Sequence, residues 1–399
     1  MSDRAETAHT EQPQIAASAA APKLGRWLSA SAIRSYSLVI AIAVVWAIFA
    51  GVTGGIFLSP RNFSNLMRQT AVTGILSVGM VMVIVTAEID LSVGSLVGLS
   101  GMAAVMLQTV AHAGLVASVL LGLGVGLAVG ALQGWLTAYA RIPSFIVTLG
   151  GLLAWRGAAQ GISGGNTYPI ELPSFMALGQ SYVNRVTGIA LVTVAVAAIA
   201  WFAIHRRRAE RRHGLESRSA IGTAVAALVA SAAAAGFVLT LNAYAGIPVP
   251  VLILVAIALA GTFLMSQTTF GRRLYAVGGN PEASKFSGIN VRRQVLWAFC
   301  IMGLLAGVAG CIYAARLGSA GPQAGTLLEL DAIAACVIGG ASLMGGRGTV
   351  LGACLGALFM ASLDNGMSLK DVPDFVQSIV KGGILVLAVG LDALARRRD

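Results

Sequence analysis

Four carboxylates stand beside apolar runs. Glu88 and Asp90 lie in Ala87-Glu88-Ile89-Asp90-Leu91-Ser92-Val93-Gly94, and Glu329 and Asp331 precede a second run. A carboxylate at the centre of a bilayer costs at least ~2.5 kcal/mol, so each such group needs a reason to be there. Three reasons are open. The carboxylates could bind cations or shuttle protons, as in a cation-coupled secondary sugar transporter. They could accept hydrogen bonds from sugar hydroxyls along a translocation path, with Ser92 and Asn365 as further candidates. Or Asp90 and Asp331 cap the helices they precede, where a carboxylate meets unsatisfied N–H groups; this third reading is the preferred one. Arg156, read as the one basic residue well within a span, needs a partner, an aqueous cavity or a route to the interface.

No enzymatic constellation accompanies these groups. The histidines, His9, His112, His205 and His213, fall in tails and loop edges, so neither HExxH nor a catalytic triad is spelled. None of the four lysines follows a glycine, which excludes a Walker A phosphate loop. Cys300, Cys311, Cys336 and Cys354 sit in apolar text without CxxC spacing and read as small core hydrophobes. The chain is expected to be no enzyme, with no catalytic residue, no cofactor and no metal site.

The most specific polar text is Gly271-Arg272-Arg273-Leu274-Tyr275-Ala276-Val277-Gly278-Gly279-Asn280-Pro281-Glu282-Ala283-Ser284-Lys285-Phe286-Ser287-Gly288-Ile289. Asn280 can cap a short helix that has Pro281 at its first position and Glu282 near its positive end. Gly288 suits its stop. The spacing predicts a short capped helix lying between two spans, with Phe286 as an apolar anchor.

The elements that must carry these groups are set by composition. Hydrophobic residues make up 57% of 399 and charged ones only 11%, with 49 glycines and a mean hydropathy of +0.82. A soluble surface needs about twice that charge, so the fold class is an all-α polytopic integral membrane protein. The net charge of +11 is no nucleic-acid signature. Most basic residues fall in the N-terminal tail, in 205–218, in 267–294 and at Arg396–Arg398. Short basic loops stay on the cytoplasmic side of a membrane. Apolar runs fall near 37–58, 71–86, 91–110, 114–139, 144–163, 186–204, 219–242, 248–266, 295–316, 332–346, 349–363 and 376–394. About twelve (10–12) spans that start inside place every basic loop inside, and both termini with them. Residues 1–35 read as a disordered cytoplasmic tail and 36–396 as one transmembrane domain. The runs at 71–86 and 332–346 are short and end in Gly-rich or polar text, which predicts two short or broken helices at corresponding places in the two halves. Gly122, Gly126, Gly130 and Gly134 form a stripe, as do Gly303, Gly307 and Gly310, and Gly352 with Gly356. Such stripes let helices approach closely, within the chain rather than along a dimer seam.

The Glu282-Ala283-Ser284-x-x-x-Gly288 spelling resembles the Glu-Ala-Ala-x-x-x-Gly pattern of permeases of ABC importers, with Ser in place of the second Ala. The resemblance extends over residues 36–396 through Leu66–Ile75, Ala87–Gly94, Pro143–Leu149, Asp331–Gly340 and Asp364-Asn365-Gly366-Met367. Together these are similar to the branched sugar-permease family of ribose, galactose, arabinose and xylose importers. The text Ala361–Ser368 with Asp371-Val372-Pro373, and an insertion around 205–247, are most like its xylose branch. The resemblance implies a homodimeric subunit in the bacterial inner membrane that forms a monosaccharide path. A cytoplasmic ATPase and a periplasmic sugar-binding protein are the implied partners. The ATPase would dock on a coupling helix made by Asn280, Pro281, Glu282, Ala283, Ser284 and Gly288.

Overall fold

The structure is a computed structural model that describes residues 30–212 and 220–396. The expected tail as far as residue 29, residues 213–219 of the basic segment and the final 397–399 lie outside the described residues. Contacts divide the chain into Met1–Ser37 and Leu38–Asp399, and the second unit carries the helix bundle.

Fifteen helices appear among the described residues, because a chain in hydrocarbon must satisfy its backbone within each segment. The first five are α1 (Ala30–Val52), α2 (Pro60–Val85), α3 (Val93–Thr109), α4 (Leu115–Ala138) and α5 (Ser144–Ser163). A short α6 (Pro173–Gln180) precedes the hairpin α7 (Arg185–Arg212) and α8 (Ala220–Asn242). Then come α9 (Val249–Gln267), α10 (Thr269–Gly279), α11 (Pro281–Phe286) and α12 (Val291–Leu317). The chain closes with α13 (Leu328–Ile338), α14 (Val350–Ser368) and α15 (Asp374–Arg396). Eight of these helices are long and apolar enough to cross a membrane, and Ser37–Val52 and Val93–Thr109 are shorter apolar helices.

Two antiparallel two-residue pairs tie loops together at what we call the upper end. β1 (Tyr168–Pro169) pairs with β4 (Ser319–Ala320), and β2 (Tyr182–Val183) with β3 (Ile247–Pro248). The opposite, lower end carries α10 and α11.

α2 is the axis of the bundle. Its best apolar window is 89% buried, against 6% for α7 and 11% for α8, which turn bare apolar faces outward. This corrects the expected short run at 71–86. The helix starts at Pro60 behind the cap Ser59, whose hydroxyl accepts from Asn62 N at 3.4 Å, and spans 26 residues. Its upper third carries Asn62, Ser64, Arg68 and Gln69, which neighbouring helices cover, so an apolarity criterion cuts it short. Arg68 lies over the Tyr182 ring at 5.6 Å. The run at 332–346 is short and broken as expected: an 11-residue helix, α13, starts four residues earlier and gives way to an irregular segment with Gly340, Gly345 and Gly346 at positive φ.

The glycine stripes pack within the chain. A Cβ on Gly303 would press on Gly130 at 2.8 Å, and one on Gly307 would meet the Gly122 carbonyl at 2.8 Å, so α4 and α12 touch backbone to backbone. Gly339 and Gly352 make the same kind of contact between α13 and α14.

Candidate functional site

Two interruptions face each other inside the bundle. The first comes after α2, where Ala87 takes a φ of +64° and residues 86–91 leave the helix. α5 holds this segment from the side. Ile89 N donates to Ser144 Oγ at 3.3 Å, and Thr148 Oγ1 donates to Ile89 O at 3.3 Å. Asp90 is buried and accepts from Ser92 N at 2.9 Å and Ser92 Oγ at 2.7 Å. It thus closes a turn onto Ser92, the N-cap of α3, without bonding an N–H of the helix itself, so the capping reading is not met there. Ser92 Oγ in turn accepts from Gln133 Nε2 of α4 at 2.8 Å. Glu88 is half-buried beside Ser144.

The second interruption descends from β4. Arg156 of α5 donates from Nη1 to Ala324 O at 2.7 Å and to Pro322 O at 3.2 Å, which supplies the partner its position demanded. Leu327 takes a φ of +67°, and α13 begins at Leu328. Gly325 meets Gly94 backbone to backbone, and the Glu329 carboxyl rests on Gly94 where any Cβ would displace it. Glu329 is 6% exposed, and its Oε2 has no hydrogen-bond partner among the described residues. The N-termini of α3 and α13 therefore converge, with Asp90 and Glu329 both against the first turn of α3. The two interruptions thus bring helix N-termini and buried carboxylates together at a polar midpoint within the bundle. Trp155 Nε1, also without a hydrogen-bond partner among the described residues, lies at this midpoint beside Gly151.

Asp331 is elsewhere. It lies inside the first turn of α13 rather than ahead of it, and its Oδ2 pairs with Lys381 Nζ of α15 at 3.1 Å. Lys381 also pairs with Asp364 of α14 at 2.8 Å. The capping assignment fails for Asp331 because the helix starts three residues earlier. Lys381 also shows that Arg156 is not the one basic residue within a span, and its place in the 376–394 run was legible. Asn365 is apart from both interruptions. Asn62 Nδ2 donates to Asn365 Oδ1 at 2.7 Å and Asn365 Nδ2 to Asn62 Oδ1 at 3.1 Å, a buried bracket between α2 and α14.

The loop at 267–294 holds two helices where one was expected. α10 is capped by Thr268 Oγ1, which accepts from Gly271 N at 3.3 Å. α11 has Pro281 at its first turn and Asn280 Oδ1 accepting from Ala283 N at 2.9 Å. Gly288 comes after it at a φ of +79°. Glu282 and Ala283 are exposed while Ser284 points inward, and Phe286 is 90% exposed, touching little of its own chain. Immediately before α11, three backbones converge. Gly346 N donates to Val85 O at 2.9 Å, and Gly278 packs so closely on Val85 and Gly346 that no Cβ fits. Tyr275 Oη donates to Gly348 O at 2.6 Å. Burial pushes the Tyr275 phenol above its ordinary pKa, which keeps it a donor. Sequence reasoning missed Tyr275 and Gln133, because their partners lie far along the chain, and Trp155, which reads as one more apolar residue of its span.

A bundle of long apolar helices with two interruptions at its centre is the architecture of a multi-pass membrane transport protein. The chain belongs to the family described as the permease component of the branched-chain amino acid transport system, which matches residues 62–389. It is 46% identical over 369 residues to the xylose transport system permease protein XylH of Escherichia coli, covering 92% of this chain and 93% of that one. It is 46% identical to the XylH of Haemophilus influenzae over 92% of this chain and 98% of the relative. The ribose import permease protein RbsC of Escherichia coli is 35% identical over 92% of this chain and 96% of its own. No solved structure matches the chain.

Proposed function

We propose that this chain is the membrane-spanning permease subunit of an ATP-driven sugar importer, carrying D-xylose or a related monosaccharide. The relatives named for xylose and ribose transport support the substrate class. The observation that carries the mechanism is the backbone junction of α10, the end of α2 and residues 345–348, because it joins α11 to both interrupted helices. A separate ATPase docks on α11 through Asn280, Pro281, Glu282, Ala283, Ser284 and Gly288. Its closure moves α10, and α10 shifts the lower ends of the two interruptions. Sugar passes the converging N-termini, where Asp90, Ser92 and Glu329 offer acceptors and Arg156 and Gln133 fix the surrounding backbone and side chains. Glu88 flanks this point, Asp331 borders a separate small cavity beside Lys381, and Asn365 holds α14 to α2 near the upper end.

The protein works as a homodimer in a bacterial inner membrane, with a sugar-binding protein delivering substrate from the periplasm. Both termini and the α10–α11 end face the cytoplasm. Arg272, Arg273, Lys285, Arg292 and Arg293 at that end support this orientation. Labelled xylose uptake is expected to persist in vesicles containing ATP with proton and sodium gradients collapsed; its loss assigns gradient coupling and refutes the proposal. Replacing Glu282 and Gly288 is expected to weaken ATPase co-purification and abolish uptake while membrane insertion continues. Normal docking and uptake in that variant would remove α11 from the coupling role.

A further inference from the structure

We propose that the cavity between α9, α10 and α12 binds the headgroup of an anionic phospholipid with a free hydroxyl, of the phosphatidylglycerol type. The cavity has a volume of about 330 Å³. Arg273 of α10 and Arg293 of α12 line it, and neither has an acidic partner among the described residues. Gln294 also lines it, 5% exposed, and its Oε1 has no hydrogen-bond partner among the described residues. Two guanidiniums suit a phosphate, and the unpaired amide oxygen accepts from a headgroup hydroxyl once the Gln294 side chain turns into the cavity.

The other wall is apolar. Leu264 and Ile301 come from the spanning helices α9 and α12, and Trp297 is 47% exposed on the α12 surface. Tryptophan at such a level marks the boundary between headgroups and hydrocarbon. Above the cavity, Leu259 and Phe263 of α9 are bare, so acyl chains have a surface to track along. Basic pockets between spanning helices are the form that lipid-headgroup sites take. Inorganic phosphate would meet the same guanidiniums but has no chain for the apolar wall. A docking ATPase also competes for the arginines, yet no wall of the cavity comes from α11.

Native mass spectrometry of the purified chain, titrated with phosphatidylglycerol and with phosphatidylcholine, tests the site. The wild type is expected to hold one phosphatidylglycerol in preference to phosphatidylcholine. R273Q/R293Q is expected to bind it about thirtyfold more weakly, the effect of two cations near a membrane surface. R273K/R293K keeps the charge and is expected to retain most of the affinity, which separates charge loss from misfolding. Equal affinity in wild type and R273Q/R293Q overturns the proposal, as does a wild type that does not discriminate between the two lipids. Displacement of the lipid by low-millimolar inorganic phosphate reveals a free-anion site and overturns it too. So does lost ATPase co-purification in R273Q/R293Q with lipid binding unchanged, which assigns the arginines to the ATPase.

Discussion

Tyr275→Phe deletes one hydroxyl from the junction that joins α10 to the interrupted helices. The ring stays, so its packing is preserved, and the lost bond is the 2.6 Å contact to Gly348 O. Such a bond is worth about 1 kcal/mol net, and a partly buried carbonyl left without its donor raises the cost to about 2 kcal/mol. The closed junction therefore weakens by a factor of roughly 5–30. It does not vanish, because Gly346 N still donates to Val85 O. Gly278→Ala goes further. Its Cβ would press on Val85 and Gly346, whose backbone atoms cannot rotate away, and overpacking of this kind costs about 1–3 kcal/mol. The assay is sugar imported per ATP hydrolysed in proteoliposomes holding the permease, its ATPase and its binding protein. Both variants are expected to assemble and hydrolyse ATP at the wild-type rate or faster. Sugar per ATP is expected to fall about fivefold in Tyr275→Phe and further in Gly278→Ala. An assembled Gly278→Ala complex with a wild-type ratio would refute the reasoning. Because burial raises the phenol above its ordinary pKa of 10.0, the wild-type ratio should also hold steady as pH rises from neutral toward 9.

Lys381→Met strands Asp331 and Asp364 without their cation. Removing one partner of a buried pair costs about 3–5 kcal/mol, and since the Lys381 side chain is 20% exposed we expect about 2 kcal/mol. The melting temperature of the purified protein should drop by several degrees and recover when both aspartates become Asn. Asn365→Leu leaves Asn62 without its amide partner and should cost about 1–3 kcal/mol, whereas Asn62→Leu with Asn365→Leu recovers part of the loss; thermal unfolding of the three variants decides this. Gly130→Val drives α4 from α12 at a place where backbones touch, and should abolish monodisperse expression as judged by size exclusion.

Periodicity and apolarity locate the helices well, because a span must be apolar wherever it meets lipid. The same criterion fails where lipid is absent. It clips α2 at its polar third, which protein covers, and overextends α13 through glycines that in fact turn the chain. Capping chemistry is local, so Asn280, Pro281 and Gly288 are readable at α11. The pairs that fix other residues span long stretches of sequence: Lys381 with Asp331, Asn365 with Asn62, Tyr275 with Gly348. Nothing in a single chain's spelling links such positions. α10 escapes notice because its amphipathic run is short and its two arginines read as loop.

The enclosure of α2 bears on how the protein is made. It emerges early during synthesis, yet the helices that pack on it most, α9, α12, α13 and α14, all come after Pro248. At about 5–20 residues per second, α2 waits on the order of ten seconds for the first of them. Until then Asn62 lacks Asn365, its partner on α14, although Phe57 O and the Tyr182 ring are already present for Asn62 and Arg68. A chain truncated before α9 is thus left with α2 only partly clad, a form that membrane proteases and chaperones can distinguish from the finished protein.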